Sequence, residues 1–410
     1  MINNNEKKLL VIIDLNFDIN GMHILRSIGF EACKGEFIGL IGPNGAGKTT
    51  LLKCINGINR GTGRVEIGGT SLTAMSNRAV AGKVAMLHQD TAVTFPLTVL
   101  DIVLTGRYHQ LGRLKAESAE DYKIARSYME YTDTLKFETR QINTLSGGER
   151  QRVLFAKVLT QETELILLDE PSASLDINHE EQIFKYSADL CRNGKTVIAA
   201  VHDLKTAVRF CTRLILMKDG QIITDGTPEV VVTQENLSKA FEVNALVYRN
   251  RISGLIDFHI PGQTDKGKGV KVHVIGGGGS ASGIIRQLFE SGFIVTAGVF
   301  AHGDSDLGCT DIFGVRTVVC QPFSEIGEGA MKENIELIKA ADITLLCDMP
   351  FGQQNLRNLE AAAYASRLVM IEDENPEHRD FTGGKATDMY NCLKKKAIVI
   401  EAARLHEVLP

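Results

Sequence analysis

Through residues 1–243, short apolar runs alternate with longer segments whose apolar positions recur at helical spacing. That is the rhythm of an α/β fold built on a parallel sheet. Leu9–Asp14, Glu36–Ile41, Arg64–Ile67, Val84–Leu87, Leu165–Leu168, Thr196–Ala200, Arg213–Lys218 and Gln221–Asp225 are the expected strands, and a helix-rich stretch, 99–136, interrupts them. Residues 243–260 are irregular, and Pro261 to Gly269 is polar and rich in glycine and lysine, the composition of a linker. A second α/β rhythm then runs from Val270–Ile275 through the glycine run 276–279, a helix over Ala281–Ser291 and a strand over Phe293–Phe300, ending at Ala397–Ile400. Two α/β domains are expected, 1–262 and 270–410, joined by 263–269, with no repeat relating them.

The length of 410 residues agrees with more than one domain, at about 150 residues each. With 44% hydrophobic and 23% charged residues, the chain falls outside the disordered and collagen-like classes. A net charge of −5 gives no reason to expect nucleic acid as a partner. No apolar run approaches the length of a membrane span, and the polar start, residues 1–8, lacks a signal-peptide pattern, so a cytosolic location is expected. The eight cysteines, at 33, 54, 191, 211, 309, 320, 347 and 392, contain no C-x-x-C pair, which predicts reduced thiols and neither a zinc site nor a disulfide framework.

Gly42-Pro-Asn44-Gly45-Ala-Gly47-Lys48-Thr49-Thr50 fits G-x-x-x-x-G-K-[ST] between a strand and a helix-forming segment. Glycines there let backbone N–H groups turn inward around phosphates, Lys48 reaches the β- and γ-phosphates of ATP, and the Thr49 hydroxyl is a Mg²⁺ ligand. The run Leu165–Leu168 delivers Asp169 and Glu170 to a sheet edge, where Asp169 would hold Mg²⁺ through water and Glu170 would orient or deprotonate the attacking water. Such an acidic pair is also common surface decoration. Ser146-Gly147-Gly148 at a helix start makes a second nest of N–H groups; with one lysine loop per chain, its natural target is the γ-phosphate held by another copy. A plain helix N-cap at Ser146 is the alternative.

With these motifs in place, the chain resembles an ATP-binding cassette (ABC) ATPase over about residues 7–260, a P-loop NTPase fold with a helical subdomain. The lysine loop resembles the family's Walker A, Leu145–Glu149 its LSGGE-type signature and Leu165–Glu170 its Walker B. The resemblance implies that Gln89 ligates Mg²⁺ and senses a membrane partner, that Ser172–Asp176 is the D-loop, and that His202 is the switch histidine contacting the γ-phosphate. An isolated strand-end histidine would otherwise be structural. The family's adenine-stacking aromatic is replaced by Ile19, with Phe17 nearby. One cassette without membrane spans implies a subunit driving a separate permease; DNA-repair members carry long coiled coils, and translation members carry two cassettes. Phe95 to Gly112 is similar to ATPases of iron-siderophore, haem and vitamin B12 importers. The implied assembly is an ATPase homodimer on a permease dimer, peripheral at the cytoplasmic face of the membrane and fed by a periplasmic or extracellular substrate-binding protein.

In the second half, the strand followed by Gly276–Gly279 and a helix satisfies G-x-G-x-x-A, the weaker dinucleotide fingerprint of a Rossmann-like domain, with Asp304 and Asp306 near the place of a ribose-binding acid. Three readings stay open: a phosphate or nucleotide site, a site for another small ligand, and a structural glycine turn. His302-Gly-Asp304-Ser-Asp306 and Pro350–Leu359 are similar to text in extensions of cobalamin-importer ATPases, which implies a corrinoid cargo, with iron siderophore or haem as the alternative, and a sensor role for this domain. Cys309 beside His302 is weak evidence for a nucleophile.

Overall fold

The structure, a computed structural model, describes residues 8–88, 96–111, 115–171, 177–250, 253–260, 267 and 269–409, the side chains of 177–180 excepted. The chain gathers into two compact units: the first runs to Val243 and includes Leu255–Asp257, and the second comprises Asn244–Gly254 and the chain from Phe258 onward. No helix among the described residues is long and apolar enough to cross a membrane.

In the first unit, β1 (Lys8–Ile19), β2 (Met22–Cys33), β4 (Thr62–Ile67) and β5 (Thr70–Ser71) form an antiparallel sheet in the order β2-β1-β4-β5. A six-stranded sheet has the order β10-β9-β3-β8-β7-β6, from β3 (Phe37–Ile41), β6 (Val84–Leu87), β7 (Leu165–Asp169), β8 (Thr196–Ala200), β9 (Arg213–Lys218) and β10 (Gln221–Gly226). Every residue of β3, β7 and β8 is buried, which explains their continuous apolar text: parallel strands covered on both faces need no alternation. Strand β2 was not expected. Its register against β1 slips repeatedly and Ser27 takes a left-handed φ of 47°, so no clean two-residue period survives in the sequence.

The helical stretch folds as Val99–Leu104, a short 3₁₀ turn and Ala119–Tyr131, sharing a core with helix Gly147–Thr160. Its polar centre is buried Arg107, which donates to Asp121 (2.9 Å), Glu162 (2.7 Å) and the Thr160 carbonyl (3.1 Å). Phe95 and Gly112, the ends of the importer-like segment, lie outside the described residues.

Two short strands, β11 (Leu246–Arg249) and β12 (Ile256–His259), fall where the chain changes unit. The second unit holds one parallel sheet of β13 (Lys271–Ile275), β14 (Ile294–Ala301), β15 (Arg316–Cys320), β16 (Ile343–Leu346), β17 (Leu368–Ile371) and β18 (Ile398–Ile400), in the order β15-β14-β13-β16-β17-β18. Counted within the unit this is 3-2-1-4-5-6, the doubly wound Rossmann order.

All eight cysteines are free thiols. Burial pushes Cys54 and Cys191 up to about 12.

Candidate functional site

The lysine loop leaves β3 and enters helix Lys48–Ile55. Two of its glycines are required by close approach: a Cβ at Gly42 would stand 2.1 Å from the Met217 carbonyl oxygen, and one at Gly47, where φ is 97°, would meet Leu25 and the Ile24 carbonyl. Lys48 is buried, and its Nζ donates to the carbonyls of Gly42 (2.7 Å) and Pro43 (3.1 Å). Burial lowers the Lys48 pKa, opposed by the nearby Glu170 and Asp169 charges.

At the end of β7, Asp169 is almost fully buried and accepts a 2.7 Å hydrogen bond from Thr49 Oγ1. Desolvation raises its carboxyl above the usual range; the Thr49 bond works against that and the Glu170 charge adds to it. A hydroxyl and a carboxylate side by side, with a second carboxylate next in the chain, are hard oxygen donors of the kind Mg²⁺ takes. A bound cation would further offset the burial cost of Asp169, so these residues fit that ion. Glu170 has a left-handed φ of 50° and pairs with His202. An open depression of about 410 Å³ has Asn44, Gly45, Gly47, Lys48, Thr49 and Thr50 on one side, Glu170 and His202 on the other, and Ile24 at its rim.

Ser146, Gly147 and Gly148 do not line this depression. Ser146 caps helix Gly147–Thr160, accepting from the Glu149 N–H (3.3 Å) while the Glu149 carboxylate accepts from the Ser146 N–H (2.8 Å). Gln89 and Asp176 lie outside the described residues.

Neither Ile19 nor Phe17 reaches the depression: Ile19 is exposed at the end of β1, and Phe17 packs against the core. Ile24 does, and the sequence reading missed it. It sits on β2, the strand whose period was unreadable; the turn at Gly21 followed by Met22-His-Ile24-Leu25 was the available signal of a returning strand.

In the second unit the glycine run follows β13, and the N–H groups of Gly277, Gly278 and Gly279 are already taken. Asp304 accepts from the Gly278 N–H (3.1 Å) and from the Asp306 N–H (3.0 Å). Asp306, fully buried, accepts from the N–H groups of Gly279 (3.1 Å), Ala281 (3.2 Å) and Ser282 (2.8 Å) and from the Ser282 hydroxyl (2.6 Å). The expectation of a ribose contact is therefore corrected for Asp306, which is spent inside the turn, whereas Asp304 lines a cleft beside it. Cys309 donates to the Ser282 carbonyl, and burial raises its thiol to about 11, while His302 is exposed, so no activated nucleophile forms there.

A family model for ABC transporters matches residues 25–173, and the MJ0874 family model matches 295–407. The cobalamin import ATP-binding protein BtuD of Halobacterium salinarum is 32% identical over 375 residues, covering 90% of this chain and 94% of that one. The chain belongs to the ABC transporter ATP-binding family. The hemin import ATP-binding protein HmuV of Deinococcus radiodurans is 36% identical over 58% of this chain and 91% of its own length. Among solved structures, an ABC transporter in an inward-facing conformation is 26% identical with a TM-score of 0.55, covering 62% of this chain and 97% of that one. As an ABC ATPase, the chain binds ATP and hydrolyses it to drive transport.

Proposed function

We propose that this ABC ATPase powers uptake of a corrinoid through a separate membrane permease, as a homodimer on the cytoplasmic face of the membrane. One observation carries the choice of cargo. The resemblance to the cobalamin import protein extends over both units, whereas the hemin import protein matches little more than half of the chain. Iron siderophore or haem is the alternative cargo, and a substrate-binding protein would deliver either.

In the proposed mechanism, ATP phosphates replace the Gly42 and Pro43 carbonyls as acceptors for Lys48, exchanging neutral hydrogen bonds for charge-assisted ones. The loop N–H groups from Asn44 to Thr50 cradle the same phosphates. Thr49 and Asp169 would hold Mg²⁺, with Gln89 by family resemblance, and the ion would neutralise charge on the phosphate oxygens. Glu170, oriented by His202, accepts a proton from water as the water oxygen attacks the γ-phosphorus and the β–γ P–O bond breaks toward ADP. Ser146, Gly147, Gly148 and Asp176 act on the nucleotide of the opposing copy, since Ser146–Gly148 lies off the chain's own depression. Only the γ-phosphate distinguishes ATP from ADP, so it must supply the differential affinity that closes the dimer.

Two measurements test this reading. Ser146→Arg should leave ATP binding by the single chain intact while abolishing ATP-dependent dimerisation in light scattering; undiminished dimerisation would remove Ser146 from the interface. Vesicles carrying the chain with its permease should accumulate cyanocobalamin on ATP addition, and neither hemin nor a ferric siderophore. Accumulation of hemin or siderophore alone would transfer the cargo assignment.

A further inference from the structure

In the second unit, the strand order reverses between β13 and β16, and a cleft of about 440 Å³ opens at the carboxyl ends of these strands. Doubly wound sheets bind ligands at this switch point. Here the usual phosphate contacts are closed, because Asp304 and Asp306 consume the N–H groups of Gly278, Gly279, Ala281 and Ser282. No lysine, arginine or histidine is among the residues lining the cleft, and the Asp304 carboxylate faces it. A phosphate entering would find these four donors taken and a like charge beside it.

Apart from Asp304, the side chains that the cleft offers are neutral. The exposed amides of Gln353 and Gln354 make no hydrogen bond among the described residues, whereas Asn355 is spent on the Gly352 N–H (2.8 Å) and the Pro350 carbonyl (2.8 Å), holding the loop that carries them. Phe381 borders the same cleft with 73% of its surface exposed. Its backbone is fixed: the Phe381 N–H donates to the Phe351 carbonyl, and the Phe351 N–H donates to the Arg379 carbonyl, each at 2.8 Å. Arg379 is buried, donates to the Met349 carbonyl at 2.9 Å, and lies 5.5 Å from the ring centres of Phe351 and Tyr390. The backbone that carries the aromatic lip is thereby held in place before any ligand arrives, which lowers the ordering cost of binding.

We propose that this cleft binds a neutral, carboxamide-bearing molecule with an apolar surface, and that it excludes nucleotides. Such a ligand would pack an apolar edge against Phe381 and exchange amide hydrogen bonds with Gln353 and Gln354. The choice of probe rests on the corrinoid reading above, since a corrin macrocycle is rimmed with carboxamides. The test is titration calorimetry on the full chain saturated with ADP, with dicyanocobinamide as the neutral probe and NAD as the phosphate-bearing one. Dicyanocobinamide should bind. Phe381→Ala, and separately Gln353→Ala combined with Gln354→Ala, should each weaken it by about tenfold, and NAD should give no heat. NAD binding that Phe381→Ala abolishes, no dicyanocobinamide binding, or binding indifferent to both variants would each overturn the proposal. Cyanocobalamin uptake by vesicles reads the transport assignment separately, so a chain that powers uptake yet binds no dicyanocobinamide refutes this inference alone.

Discussion

Glu170→Gln is expected to lower ATP turnover by about 10²- to 10⁴-fold, the range of a lost general base, while ATP binding persists. The amide keeps the size and hydrogen-bonding capacity that faces His202 but has no basicity to accept the proton of attacking water. Binding survives because the loop N–H groups and Lys48 are untouched, and one negative charge fewer beside the phosphates favours the anion. Stopped before cleavage, the ATP-bound dimer should accumulate and be visible in light scattering. Ordinary turnover in the variant would take the role of base away from Glu170.

Asp306→Ala is expected to destabilise the second unit by about 4 kcal/mol, from the loss of four hydrogen bonds to one buried carboxylate. The N–H groups of Gly279, Ala281 and Ser282 would lose their acceptor together, at the start of helix Ser282–Glu290, where no earlier turn supplies carbonyls. Urea unfolding of the full chain should show the second unit melting earlier. Asp306→Asn should fall between, because the amide keeps one acceptor oxygen but turns a donor toward N–H groups. An alanine variant as stable as the parent would mean that water satisfies the loop as well as the carboxylate does.

Much of the nucleotide site was legible because its parts are contiguous in the chain. Gly42–Thr50 directly follows the buried strand β3, Leu165–Glu170 is a buried strand running into a loop, and β3, β7 and β8 announce themselves as unbroken apolar text. Ile24 was hidden for the opposite reason: its place at the site depends on a bulged hairpin, and bulges erase the period that sequence reading relies on. The glycine run and the two aspartates of the second unit were both visible as text. Their mutual pairing was not, because it joins two separate strand-to-helix turns, and the same residues spaced the same way would also suit a ribose and a pyrophosphate.

The division of the chain between its units also bears on how such a gene can be split or recombined. The chain moves from the first unit to the second after Val243, returns for Leu255–Asp257, and leaves again at Phe258. No single breakpoint yields two whole products. A break after Val243 strips Leu255–Asp257 from the first unit, and a break after Asp257 leaves Asn244–Gly254 on the wrong polypeptide. A one-point exchange with a chain lacking this threading would therefore separate residues that belong to one unit.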